Sequence, residues 1–204
     1  MKNLENIHAN KLFMINKRIF DIVVSLLLLP LLFIIGITLL LFNIFFNSGK
    51  LFFIQERMGK NCNVFNLIKF RTMTTVEEIT RKYDEPIETN RITPLGSMLR
   101  KTRIDELPQV LNVLKGDMSL IGPRPDYYIH ALEYLKNVEG YRERHTIRPG
   151  ITGLSQIKLG YVDTLEATLK KTSLDNYYIQ NVGYIIELKI IVNTILIIIR
   201  GLGK

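Results

Sequence analysis

The stretch "LRKTRIDELPQVLNVLKGDMSLIGPRP" (residues 99–125) places two adjacent carboxylates, Asp105 and Glu106, among several positively charged side chains. Those side chains are Arg100, Lys101, Arg103, Lys115 and Arg124. Guanidinium and ammonium groups bind phosphate, and a carboxylate either attacks phosphorus as a nucleophile or ligates Mg²⁺. These residue types in this pattern indicate chemistry on phosphate groups.

Pro108 predicts where the helix after the acidic pair begins, because proline fits a first helical turn and disrupts a helix interior. We expect Asp105 at the N-cap and Glu106 at the first helical position. The positive end of the helix dipole, with Arg100 and Arg103, should favour the ionised carboxylate. The same helix start offers free backbone N–H groups to a phosphate. Asp105 is then a simple cap, a nucleophile or a Mg²⁺ ligand.

Three further arginines stand where a phosphate could be held. Arg124 lies between two prolines in "GPRP", which stiffens the backbone around it, and Arg148 in "IRPG" also precedes a proline. Arg71 in "KFRTM" follows a predicted strand. Each alone is equally compatible with a surface arginine in a turn.

Composition limits the class of protein. The 204 residues carry a formal charge of +8 and a sequence pI of about 9.5, which favours anionic partners such as phosphates or the cytoplasmic leaflet. Cys62 is the one cysteine, so a disulfide framework is excluded. This cysteine and the three scattered histidines do not have the sequence spacing of a known zinc site. Nucleic-acid binding would rest on charge alone, and we expect no nucleic-acid partner.

Residues 22–46, "IVVSLLLLPLLFIIGITLLLFNIFF", carry no charge. At about 1.5 Å per residue they form ~37 Å of helix, enough for a hydrocarbon core of about 30 Å. Basic residues flank both ends, whereas the positive-inside rule expects them on one side only. Pro30 and Gly36 lie near the middle of the segment. These features are compatible with a bent helix that enters and leaves by the same leaflet, and also with a straight or kinked span.

The remaining segments predict a mixed, mostly helical domain. "LFFIQE" and "VFNLIKF" are typical of two strands of a hairpin around "RMGKNCN". A polar surface loop is expected over residues 74–93, a helix from Glu106 that stops at Lys115 and Gly116, and a second helix capped by Asp126. "TIRPGITGLSQ" is expected to be a loop, followed by helices over residues 164–181 and 184–200, the last in the core or at a membrane interface.

These stretches together resemble one family. "NKRIFDIVVSLLLL", "FFIQERMGKN", "FNLIKFRTM", "DELPQ" followed by "LKGDMSL" and "GPRP", "RPGITGLSQ" and "LDNYYIQN" are similar in order to the bacterial sugar transferases, the small monotopic phosphoglycosyl transferases. The resemblance covers residues 17–199. Two positions depart from the family's pattern: Leu29, not serine, precedes Pro30, and "IKLG" follows "GITGLSQ".

The resemblance implies a fold and a place in the cell. It implies an α+β, mostly helical monotopic membrane protein with a small β-hairpin and interfacial helices. Residues 1–48 would form a membrane-embedded, re-entrant helix, and residues 49–204 a cytoplasmic transferase domain. The location would be the cytoplasmic face of the bacterial inner membrane.

The resemblance also implies a reaction. Such enzymes move a sugar-1-phosphate from a UDP-sugar to undecaprenyl phosphate with Mg²⁺, release UMP and begin surface-glycan assembly ahead of downstream glycosyltransferases. Asp105 would be the nucleophile and a metal ligand, and Glu106 its catalytic partner. The phosphate-binding residues would be Arg100, Arg124, Arg71 and Arg148. The competing interpretation is a non-catalytic scaffold that binds anionic lipid.

Overall fold

A computed structural model describes residues 11–46, 49–75, 83, 85, 88–160 and 164–202 of the chain. The described chain is mostly helical, with small sheets, as the α+β class requires. The helices are α1 (Lys11–Phe46), α2 (Pro94–Lys101), α3 (Gln109–Lys115), α4 (Tyr128–Asn137), α5 (Leu154–Leu159), α6 (Leu165–Gln180) and α7 (Tyr184–Ile199). The strands are β1 (Phe52–Met58), β2 (Val64–Phe70), β3 (Ser119–Ile121) and β4 (Gly150–Thr152).

Helix α1 continues through Pro30 without a break in its assignment. Within the described residues, its segment Lys11–Asn43 is the one helix long and apolar enough to cross a membrane, with a mean hydropathy of 2.9. Most of its apolar side chains are exposed, Leu27 and Phe33 to 73% and 70%. The re-entrant path of this helix stays a prediction.

One face of α1 lies along the rest of the protein over nearly its whole length. Near its start, the guanidinium of Arg18 donates to the Val113 carbonyl at the end of α3 (2.8 Å). Near its end, Asn43 donates to the Gly49 carbonyl (2.5 Å). The buried residues of α1 recur on one side of the helix: Phe13, Lys17, Asp21, Ser25, Leu32, Leu39 and Asn43. The helix is therefore packed against the domain at both ends.

Strands β1 and β2 form the expected antiparallel hairpin, with Phe52 opposite Phe70 and Met58 opposite Val64. The turn between them is a single 3₁₀ turn, Lys60–Cys62. The hairpin prediction is confirmed because two short runs rich in Phe, Ile and Val around a polar turn that contains Gly and Asn are a strong local signal. Half of the loop predicted over residues 74–93 lies outside the described residues, and the described half contains one 3₁₀ turn, Thr89–Arg91.

The expectation of a plain loop over "TIRPGITGLSQ" is wrong. Strand β4 pairs in parallel with β3, with Ser119 opposite Gly150 and Ile121 opposite Thr152. Gly150 permits this pairing, since a Cβ there would lie 2.0 Å from the Gly122 amide nitrogen. Three-residue strands are too short to show an alternating pattern, and their partner is distant in sequence.

The C-terminal helices follow the prediction. Thr164 caps α6 by accepting a hydrogen bond from the Ala167 amide (3.2 Å), and α7 covers Tyr184–Ile199. Tyr178 and Ile190 from these helices pack with Ile121 and Ile147 in one buried cluster. Helix α7 therefore closes the core beside the β3–β4 pair.

Candidate active site

The acidic pair lies in a 3₁₀ turn, Ile104–Glu106, that precedes α3. The prediction that Asp105 caps the helix is therefore wrong, and Pro108 occupies the N-cap of α3 instead. Pro108 has no N–H for an α-helical bond to the Ile104 carbonyl, so Leu107 donates to that carbonyl across a tighter turn (3.1 Å). The end of α3 is as predicted, with Gly116 in a left-handed conformation (φ 99°).

Glu106 is buried and surrounded by three cations. Its Oε1 lies 2.5 Å from Nη2 of Arg124, 3.0 Å from Nζ of Lys69 and 3.6 Å from Nη1 of Arg103. Burial by itself raises the pKa of this carboxyl, but Arg124 and Lys69 outweigh it and hold the pKa well below its usual range. Glu106 is therefore ionised, and its charge fixes the positions of the cations around it.

Asp105 has a different environment although it is adjacent in sequence. Its side chain is buried, and burial raises its pKa to about 6, with Glu106 adding to the rise and Lys69 opposing it. The expectation that arginines keep this pKa low is thus wrong, because desolvation outweighs the cations. The carboxylate is still mostly ionised at neutral pH. An ionised carboxylate is suited to nucleophilic attack.

Asp105 lines a cavity of about 460 Å³. Three of the four predicted phosphate-binding arginines line it: Arg71, Arg100 and Arg124. Arg100 donates from Nε to the Thr72 hydroxyl (2.9 Å), and Arg71 donates from Nε to the Lys50 carbonyl (2.7 Å). These contacts fix each guanidinium through Nε, so that the cavity carries several oriented cations beside the Asp105 carboxylate.

Arg148, the fourth predicted arginine, is not among the residues that line this cavity. Its Nε donates to the carbonyl of Gly116 (2.9 Å), at the end of α3. A cation at a helix C-terminus satisfies a free carbonyl and opposes the helix dipole. The geometry therefore gives Arg148 a structural contact with α3.

A buried ionic cluster next to Arg124 was not found from the sequence. Asp126, expected to be a helix cap, instead accepts hydrogen bonds from Arg144, Lys171 and the Tyr141 hydroxyl. Arg144 also contacts Asp175 (2.8 Å) and donates to the Arg124 carbonyl (2.7 Å). The cluster therefore holds the loop that presents Arg124.

The charges of this cluster depend on one another. Although burial opposes it, the neighbouring Lys171 and Arg144 hold the pKa of Asp126 well below its usual range. Burial lowers the pKa of Lys171 to about 8, with Asp126 opposing the shift. The members come from distant parts of the chain, so the only signal in the sequence was a lone acid after "GPRP".

Part of the cavity wall is aromatic. Tyr83, Tyr127, His130, Tyr134 and Phe53 line it together with the charged residues. Tyr127 and His130 meet edge to face with ring centroids 5.0 Å apart. A pocket with cations, carboxylates and aromatic rings has the chemistry to hold a phosphate-bearing organic molecule. Within the described residues, no group of three or more His, Cys, Asp or Glu forms a metal cage.

A long apolar helix is thus packed along a domain that has a buried acidic pair and an arginine-lined cavity. The family model described as bacterial sugar transferase matches residues 12–201. The chain belongs to the bacterial sugar transferase family.

Curated relatives cover most of the chain. A UDP-N-acetylgalactosamine-undecaprenyl-phosphate N-acetylgalactosaminephosphotransferase of Aeromonas hydrophila is 34% identical over 98% of this chain and 49% of its own length. A UDP-glucose:undecaprenyl-phosphate glucose-1-phosphate transferase of Klebsiella pneumoniae is 38% identical over 91% of this chain and 40% of its own. The exopolysaccharide production protein PSS of Rhizobium leguminosarum bv. phaseoli is 36% identical over 92% and 97%. The chain thus spans half or less of the first two relatives.

Proposed function

We propose that this protein transfers a sugar-1-phosphate from a UDP-sugar to undecaprenyl phosphate and releases UMP. The Aeromonas and Klebsiella relatives carry names of this activity. The observation that carries the proposal is the position of Asp105, a buried carboxylate that faces a cavity lined by Arg71, Arg100 and Arg124. The product would begin a surface glycan that downstream glycosyltransferases extend.

In the first step, a carboxylate oxygen of Asp105 attacks the β-phosphorus of the UDP-sugar. The new bond forms as the bond from the β-phosphorus to the bridging oxygen breaks, and UMP leaves with that electron pair. The cavity arginines offset the charge on the phosphates, which is the main contribution a protein makes to phosphoryl transfer. The phosphosugar stays on Asp105 as an acyl phosphate.

In the second step, an oxygen of undecaprenyl phosphate attacks the same phosphorus and restores the Asp105 carboxylate. Glu106 could in principle act as a base or as a positioning group. Its lowered pKa makes it a weak base, and its contacts with Arg124 and Lys69 favour positioning. We therefore assign Glu106 the role of holding these two cations against the phosphates.

Mg²⁺ fits this site as an ion shared with the substrate. Mg²⁺ is held in such enzymes by one or two carboxylates together with substrate phosphates, without a cage of protein ligands. Asp105 is a carboxylate in the cavity and would be its protein ligand. The ion would neutralise charge on the diphosphate.

The packing of α1 supports a re-entrant path in the bacterial inner membrane, with the domain on the cytoplasmic face. Arg18 and Asn43 contact the same domain from opposite parts of the helix. A helix that crossed the bilayer would place these two residues on opposite sides. The apolar face left exposed by this packing is then available to lipid.

The topology is tested by cysteine labelling. We expect single cysteines at positions 12 and 50, in a Cys62→Ser background, to resist a membrane-impermeant thiol reagent in intact cells. Both should react after the cells are opened. Labelling of either position from outside would show a full span.

The nucleophile is tested with Asp105→Asn. We expect loss of UMP release from a UDP-sugar panel with undecaprenyl phosphate and Mg²⁺, and loss of a phosphosugar adduct detected by mass spectrometry on the peptide that contains Asp105. Asp117→Asn is the matched control, because Asp117 pairs with the exposed Lys115 outside the cavity. Near-normal turnover of the Asp105 variant would rule out the covalent route. Liposome binding without turnover in the unmodified protein would favour the scaffold.

A further inference from the structure

Arg103 has an unusual backbone conformation directly before the acidic pair. Its φ and ψ are 60° and 12°, in the left-handed region. Among the described residues, the other non-glycine residues with positive φ are Asn61 and Cys62, both in the hairpin turn. A residue with a Cβ is strained in this region, whereas glycine adopts it freely. An arginine at this position therefore carries a conformational cost that glycine would avoid.

The bend at Arg103 joins the two elements that carry the site. Its amide donates to the Arg100 carbonyl (3.1 Å) at the end of α2. Its carbonyl accepts from the Glu106 amide (3.1 Å) and so begins the 3₁₀ turn. The left-handed backbone thus sets the direction in which the acidic pair leaves α2, and it needs no side chain to do so.

The side chain of Arg103 contacts the carboxylate of Glu106. Its Nη1 lies 3.6 Å from Glu106 Oε1, and the side chain is 17% exposed on the wall of the cavity. Arg124 and Lys69 contact the same oxygen more closely, at 2.5 and 3.0 Å. The guanidinium of Arg103 therefore completes a set of three cations around Glu106.

We propose that Arg103 is a positioning residue for the transfer reaction, kept as arginine despite its strained backbone because its guanidinium orients Glu106. Strain held at a reactive site is a reason to look for such a role. The proposal rests on the function proposed above. Arg103 then makes two separate contributions. Glycine would form the left-handed backbone bend with less strain, but glycine lacks the positively charged guanidinium.

The test compares Arg103→Gly, Arg103→Ala and Arg103→Lys in the full chain. We expect Arg103→Gly to unfold at a temperature equal to or above that of the unmodified protein, and Arg103→Ala to be the less stable of the two. In both, kcat for UMP release should fall about tenfold, with KM for the UDP-sugar within about twofold. Arg103→Lys should recover part of kcat, because it restores the charge.

Lys101→Ala is the matched control, since Lys101 is an exposed cation two residues away that does not line the cavity. It should leave kcat unchanged. Unaltered kcat in Arg103→Gly, an effect confined to KM, or a Gly variant less stable than the unmodified protein would each overturn the proposal. Absence of UMP release in the unmodified protein would instead overturn the proposed function, which distinguishes the two failures.

Discussion

Nη2 of Arg124 lies 2.5 Å from Oε1 of Glu106, and the backbone carbonyl of the same arginine accepts a hydrogen bond from the buried Arg144. Arg124 is thus held at both ends, by the acidic pair through its side chain and by a separate ionic cluster through its backbone. An arginine fixed in this way needs little reorganisation to receive a phosphate. The stiff "GPRP" segment therefore connects the ionic cluster to the acidic pair.

Arg124→Gln should lower kcat/KM for UMP release by about 10²- to 10³-fold, the range for removal of a preorganised group that stabilises a transition state. The loss has two causes, since the phosphate loses a guanidinium and Glu106 loses its closest cation. Steady-state kinetics with a UDP-sugar measures the effect. Arg142→Gln, at an exposed arginine outside the cavity, should stay within about twofold. Equal losses in both variants would contradict a specific role for Arg124.

Arg148→Gln should reduce stability with little change in chemistry. The hydrogen bond from Arg148 to the Gly116 carbonyl would be lost, at a cost of about 1 kcal/mol in the free energy of unfolding. UMP release at saturating substrate should remain within a few-fold of the unmodified protein. Thermal unfolding in detergent and the release assay are measured on the same preparation. A large loss of turnover at unchanged stability would instead indicate that Arg148 binds a substrate phosphate.

Protonation of His145 should make the folded state less stable at acidic pH. Burial lowers its pKa from 6.5 to about 3, and Arg144 adds to this. Its Nδ1 bonds the Gly59 carbonyl, so Nδ1 carries the hydrogen, and Nε2 is buried without a partner in the described structure. Protonation of Nε2 would therefore bury an unpaired charge.

Because the unfolded state binds this proton more tightly, the stabilisation is present above about pH 6.5 and decreases as pH falls towards 3. The His145 contribution is at most about 1.4 kcal/mol per pH unit. We expect His145→Asn to have a shallower dependence of unfolding free energy on pH between 6.5 and 4.5 than the unmodified protein. Parallel curves for the two proteins would contradict a neutral buried imidazole.

Asp175→Asn should be strongly destabilising. The carboxylate contacts Arg144, whose side chain is fully buried, and breaking such a pair leaves an undercompensated charge at a cost of about 3–5 kcal/mol. Glu133→Gln breaks the solvent-exposed pair with Lys136 and should cost less than about 1 kcal/mol. Unfolding midpoints of the two variants give the comparison. A small effect at Asp175 would show that Arg144 is satisfied by Asp126 alone.

The local signals in the sequence predicted the parts of the protein that depend on neighbouring residues. The two short apolar runs around "RMGKNCN" predicted β1 and β2, and a helix was predicted over residues 164–181, where α6 lies. The acidic pair and Arg124 were identified because their residue types and spacing lie within one short stretch. Proline chemistry predicted a helix start close to Pro108 but put the N-cap at Asp105, where the structure has a 3₁₀ turn, since a proline without an N–H is compatible with either turn type.

The amino-acid sequence by itself thus determined the β1–β2 hairpin, the C-terminal helices, the apolar helix and the acidic pair, all of which follow from side chains close together along the chain. Only the tertiary structure decided that Arg148 contacts Gly116, that Asp126 joins Arg144 and Asp175, and that β4 pairs with β3. It also decided that burial raises the pKa of Asp105. Desolvation and ion pairing depend on which distant groups exclude water from a site, and neither quantity is contained in a local pattern.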